Sequence, residues 1–168
     1  MLNSDLNRVN VVRLFPGLKN DSSFKVTSNQ SPNYNCIAWA GLQDEEWWQP
    51  GISTNLEGVK YRWPPDLSGD NALRNYIELF RKLNYLEESI NHNIEQGVLK
   101  VALYVKKDWN NLKLSLLEKE CTHAARQLSN GLWTSKLGQF FDIYHSDPYS
   151  IEGNSYGEVG IILKRKYP

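Results

Sequence analysis

The chain has 168 residues, enough for one domain whose single core removes about two-thirds of the unfolded surface from water. Lysine plus arginine (19) balances aspartate plus glutamate (19), so no global field favours nucleic acid or an anionic membrane, and neither is expected as a partner. Two cysteines, Cys36 and Cys121, are too few for a disulfide scaffold. No apolar run approaches the roughly 20 residues of a membrane span, and the opening MLNSDLNRVN lacks a signal peptide's apolar stretch, so a cytoplasmic protein is expected.

Residues 1–29 read as an N-terminal arm and loop, with Val11-Val12-Arg13-Leu14-Phe15 closed by Pro16-Gly17 and followed by Ser/Asn-rich sequence. Cys36-Ile37-Ala38-Trp39-Ala40-Gly41-Leu42 has helix propensity, and Asn33 or Asn35 is placed to cap it, which puts Cys36 in the first turn. Trp47-Trp48-Gln49-Pro50-Gly51 and Tyr61-Arg62-Trp63-Pro64-Pro65 are aromatic loops. Over 70–85 the spacing of Leu73, Tyr76, Ile77, Phe80 and Leu83 predicts an amphipathic helix capped by Ser68 or Asp70.

The second half changes character. Strands are expected over 98–106 and 121–128; Ser129-Asn130-Gly131 signals a hairpin returning through 132–137, and 156–166 reads as the closing strand. The segment 109–120 fits either a short helix or a strand extension. Helices first and a mainly antiparallel sheet afterwards define an α+β class, in one domain over 1–168: the arm, then 30–107 with the cysteine helix, aromatic loops, second helix and first strand, then 108–168 with the rest of the sheet.

A thiol in the first turn of a helix meets the positive end of the helix dipole and unpaired N–H groups, which lower its pKa and can hold an oxyanion. Cys36 is therefore the candidate nucleophile, although a lone cysteine is more often a buried structural residue. His123, at the start of a strand, can face that helix and serve as general base. Asp142 is the candidate for orienting the imidazole, with His145, Asn130 and the Ser135 hydroxyl as alternatives. Gln30 or Asn35 can complete an oxyanion hole, with Ser135 also in a supporting role. Trp39, Trp47, Trp48, Trp63 and Trp133 are candidates for lining a substrate groove. His92, in the polar run ESINHNIEQG, reads as surface.

Taken in order, Gln30, Cys36 with Trp39-Ala40 behind it, His123-Ala124 opening a strand and Trp133-Thr134-Ser135 on the return strand resemble papain-like thiol peptidases. The related NlpC-type cell-wall hydrolases are similar in their helix cysteine and strand histidine. That resemblance implies a papain-like fold and a thiol hydrolase site, with Thr134 and Ser135 standing where the papain pattern has an asparagine. The strings YNCIAWA, KVALYV, THAARQLSNGLWTSKLG, FDIYH and YGEVGIILKR also resemble a bacterial family of uncharacterised domains over about 30–166, which implies a shared fold.

Three functions compete on these residues. The first is a Cys36–His123–Asp142 hydrolase or acyl transferase acting on an amide, isopeptide or ester bond, with a peptide, protein or small acyl substrate and no cofactor. The second is a non-enzymatic module whose tryptophan-rich loops bind a peptide or protein. The third is a zinc site built from Cys36, Cys121, His123 and His145, in which Cys121 and His123 face the same side because they are two apart on a strand.

Overall fold

The computed structural model describes residues 1–52, 55, 57–107 and 114–167. Helix α1 (Asp5–Leu14) starts where the Ser4 side chain accepts the Asn7 N–H, and it carries Asp5 in its first turn and Arg13 in its last. It is a helix where the sequence suggested an arm. Only Val11 among its residues is buried, so no apolar stripe announces it. Strand β1 (Lys25–Val26) follows, then helix α2 (Cys36–Ala40), capped by Asn35, and strands β2 (Trp47–Trp48) and β3 (Tyr61–Arg62), a two-residue parallel pair made by the aromatic loops.

Helix α3 (Leu73–Lys82) buries Leu73, Tyr76, Ile77 and Phe80, four of the five residues its periodicity nominated. Ala72 occupies its N-cap position, while the Asp70 carboxylate accepts the Ala72 N–H from just outside. The remaining strands are β4 (Glu87–Glu88), β5 (Val98–Val105), β6 (Cys121–Gln127), β7 (Trp133–Lys136), β8 (Asp142–His145) and β9 (Glu158–Lys166). Between β5 and β6, Leu116–Glu118 forms one 3-10 turn; residues 108–113 of the ambiguous segment lie outside the described residues.

Seven strands make one antiparallel sheet in the order β1-β8-β7-β6-β5-β9-β4. Its five longer strands come from the C-terminal half, and the two-residue strands β1 and β4 form the edges, so the α+β class with helices on a mainly antiparallel sheet stands. Strand β9 does not close the sheet at its rim; it inserts between β5 and β4. One face is covered by α2 and α3, with Ile37, Leu73, Phe80, Val101, Leu103 and Ala124 in its core. The other is covered by α1 and the turns at Pro16–Leu18 and Pro148–Ile151, around Val11, Leu18, Tyr104, Trp133 and Ile143. Among the described residues no helix is long and apolar enough to cross a membrane.

Two irregularities shape the site. The β5–β6 register steps from Tyr104↔His123 to Val105↔Cys121, so Thr122 is an extra residue that turns β6 over between Cys121 and His123. The β6–β7 ladder holds only Arg126↔Thr134 and Gln127↔Trp133; toward Cys121 the two central strands part, and α2 packs over the seam against both.

Candidate active site

Cys36 is the first residue of α2 and is half-buried. Asn35 fixes it there by accepting the Ala38 N–H with Oδ1 (3.1 Å), and the same side chain clamps the Trp48 backbone, accepting its N–H at 3.2 Å and donating Nδ2–H to its carbonyl at 2.7 Å. One side chain thus both starts the helix and brings the double tryptophan to its mouth. Gly41 admits the Trp48 ring, since a Cβ there would lie 2.5 Å from it. The result is a cavity of about 420 Å³ lined by Cys36, Trp47, Trp48, Gln49, Cys121 and Tyr156, among others.

The Cys36 sulfur reaches into the seam, where the backbone N–H groups of Ala124, Ile37 and Cys36 itself point toward it. Those donors and the charge of Lys136 favour the thiolate, but burial outweighs them and pushes the thiol up to about 11. The expected lowering therefore does not occur. A helix of five residues has little dipole to offer, and the sulfur has lost its water. Cys121 is raised further by burial.

His123 is fully buried on the face opposite α2, its ring stacked on Tyr156 (centroids 4.0 Å apart) and edge-on to Tyr104. It does not project toward the helix as its place on the strand suggested, because the bulge at Thr122 turns it over. The same bulge separates it from Cys121, which packs on the helix face. The four-residue zinc set is thereby divided between two faces, and among the described residues no group of three or more His, Cys, Asp or Glu is placed to hold a metal ion. His123 does not line the Cys36 cavity; the link between the two residues runs through the backbone N–H of Ala124, which follows His123 and acts on the sulfur. Tyr156 joins them by lining the Cys36 cavity while stacking on the imidazole. Its turn depends on Gly157, at φ +74°, where a Cβ would lie 2.0 Å from the Val105 carbonyl oxygen.

Asp142 does not orient His123. It stands opposite Lys136 on the helix side of the sheet and accepts the Tyr34 hydroxyl at 2.8 Å. Burial raises its pKa against the pull of Tyr34, Ser28 and Lys136. The group that touches His123 is Ser135, with Oγ 3.0 Å from His123 Nε2 and 2.9 Å from His145 Nε2, and His145 Nδ1 lies 2.7 Å from the Asp147 carbonyl. All three side chains are fully buried. Desolvation lowers both imidazoles, His145 to about 4 and His123 well below its usual value, so both are neutral at pH 7.

Chemistry then fixes every proton in this chain of bonds. A carbonyl only accepts, so His145 carries its hydrogen on Nδ1 and offers the Nε2 lone pair to the Ser135 hydroxyl. Ser135 Oγ accepts in turn from His123 Nε2–H. His123 Nδ1 is left as a bare lone pair, buried and without a hydrogen-bond partner among the described residues.

The other expected contributors divide. Gln30 is exposed in its loop and does not line the cavity, and the Asn35 amide is consumed by capping and by Trp48. Gln49 also lines the cavity, and its Oε1 accepts Trp47 Nε1–H at 2.9 Å. Trp47 and Trp48 line the Cys36 cavity; Trp63 lines a neighbouring apolar groove shared with Trp48. Trp39 is half-buried, donating to Thr134 Oγ1 beneath the Arg126 guanidinium, and Trp133 is core. Asn130 stays in the hairpin turn, accepting the Leu132 N–H, and His92 is half-buried, edge-on to Tyr149.

Residues 25–164 match the family described as "Domain of unknown function (DUF7689)", and the chain belongs to it. No curated protein and no solved structure matches the chain.

Proposed function

We propose that this member of a family of unknown function is a cysteine-dependent hydrolase or acyl transferase of papain-like type, acting on an amide, isopeptide or ester bond. The observation that carries the reading is the bare His123 Nδ1 lone pair, held in one tautomer by Ser135 and His145, beside a strand N–H that faces the Cys36 sulfur. A general base needs an acceptor nitrogen held in one tautomer, and this hydrogen-bond chain supplies one.

The pair rests as neutral thiol and neutral imidazole, so the nucleophile is made during attack. As Cys36 Sγ bonds to the acyl carbon its proton passes to His123 Nδ1, and the carbonyl oxygen becomes an oxyanion facing the Cys36 N–H and the Gln49 amide. The same proton then goes to the leaving nitrogen or oxygen, and water or a second nucleophile takes the acyl group from sulfur. The aromatic rings of Trp47, Trp48 and Tyr156 supply the apolar walls. A binding module is the alternative, favoured by the groove of about 330 Å³ between Trp48, Trp63, Pro64 and Pro65.

Incubation with a p-nitrophenyl ester distinguishes them. The expected result is a burst of nitrophenol and an acyl adduct on Cys36 by mass spectrometry, abolished in Cys36→Ala and retained in Cys121→Ala. His123→Gln and His123→Ala should acylate on the order of 10²-fold more slowly. Absence of the Cys36 adduct, or an undiminished rate in both folded His123 variants, sinks the enzyme reading.

A further inference from the structure

His123 is one end of a buried hydrogen-bond chain that continues through Ser135 to His145. Ser135 and His145 continue the hydrogen-bond chain from the Nε2 side of the imidazole, and none of the three residues lines the cavity. An imidazolium at His123 would be poorly placed. The groups against it are the Tyr104 and Tyr156 rings and the Ser135 hydroxyl, and among the described residues no carboxylate is bonded to it. His145 is better provided. Its Nδ1–H is held by the Asp147 carbonyl at 2.7 Å, the Asp147 and Asp21 carboxylates both act on it, and Asp21 is anchored one residue away by accepting the Ser146 N–H at 2.8 Å. The hydroxyl between the two rings is 3.0 Å from one and 2.9 Å from the other, aligned to accept from the first and donate to the second.

We infer that Ser135 and His145 are a proton relay for His123, so that the positive charge made when Cys36 attacks comes to rest on His145. This rests on Cys36 and His123 acting as proposed. In the step, the Sγ–H proton moves to His123 Nδ1, the His123 Nε2 proton moves to Ser135 Oγ, and the Ser135 hydroxyl proton moves to His145 Nε2. His123 ends neutral in its other tautomer, Ser135 ends as a hydroxyl, and His145 ends as imidazolium; protonation of the leaving group runs all three transfers backwards. Ser135 and His145 are positioning residues, since neither meets substrate.

The test is a proton inventory of Cys36 acylation in mixtures of light and heavy water. Several protons in flight give a bowed dependence in the wild type. Ser135→Ala, which keeps both imidazoles, should give a linear one and a rate about 10²-fold lower, and Ser135→Thr, which restores the hydroxyl, should recover the bow and most of the rate. Nitrogen-15 spectra of the resting protein should show His123 protonated at Nε2 and His145 at Nδ1. A linear inventory in the wild type, a Ser135→Ala rate equal to wild type, or His123 protonated at Nδ1 overturns the relay while Cys36 still acylates. Failure of Cys36 to acylate at all is the separate outcome that removes the proposed enzyme, and the relay with it.

Discussion

Acidification from pH 7 to about 4 is expected to weaken the fold by roughly 3 kcal/mol through His145 alone, with His123 adding to the loss. Both imidazoles are buried neutral, and burial holds His145 at about 4 and His123 well below its usual value. As the pH falls the unfolded chain binds these protons first, near 6.5, so the stability they contribute is complete above that pH. It is lost as the pH drops toward about 4 for His145 and continues to fall for His123. Asp21, held below its ordinary pKa by Ser146 and Ser23, extends the loss further, whereas Asp142, raised by burial, works in the opposite direction. Urea midpoints at pH 7, 5.5 and 4.5 measure the slope. His145→Gln should flatten it relative to wild type, and an unchanged slope in that variant would remove the neutral, buried imidazole from the account.

The second large effect belongs to Lys136. Its side chain is buried, its ammonium donates to the Ser31 carbonyl at 2.9 Å and to the Phe140 carbonyl, and it sits over the Tyr34 ring opposite Asp142. Lys136→Ala leaves two buried carbonyls without their charged donor and removes a cation whose field favours the Asp142 carboxylate, and is expected to cost about 3–5 kcal/mol. At 2–4 °C per kcal/mol for a chain of this size, the melting temperature should fall by on the order of 10 °C. Lys136→Met combined with Asp142→Asn, which removes both charges, should recover most of it. A loss below about 1 kcal/mol in Lys136→Ala would show that the clamp contributes nothing beyond a surface pair. Desolvation also lowers the Lys136 ammonium to about 8, so the folded protein releases this proton before the unfolded chain does. The Lys136 contribution accordingly rises with pH between about 8 and 10.5.

Much of this architecture is legible in the chain because local chemistry and burial agree. Helix α3 shows its buried stripe, β5 and β6 show β-rich runs, and Asn130-Gly131, with Gly131 at φ +89°, turns the hairpin as such a pair should. Helix α1 is not legible, because it buries one residue of its own and is held by Phe15, Leu18 and Phe24 outside it. At the site, Cys36 and its Asn35 cap follow from helix-start chemistry. The bulge at Thr122 does not, since a one-residue register step between distant strands leaves no local signal, and it reverses the direction of His123. Ser135 was one of several polar residues eligible to follow the histidine. Only the pairing of β7 with β8 shows that it and His145 share a face while Asp142 takes the other. Gln49 was hidden for a similar reason, as a loop glutamine acquires its place through the Asn35 clamp on its neighbour Trp48.

The parting of β6 from β7 has one more consequence. In an unbroken ladder the amide of Ala124 would be locked to a carbonyl and would exchange its hydrogen with solvent only when the sheet opened. Here that amide faces a sulfur instead, so its exchange rate is tied to the chemical state of Cys36. Deuterium uptake at Ala124 is therefore expected to differ between the free and the alkylated Cys36 thiol, and hydrogen exchange followed by mass spectrometry on the two forms checks it.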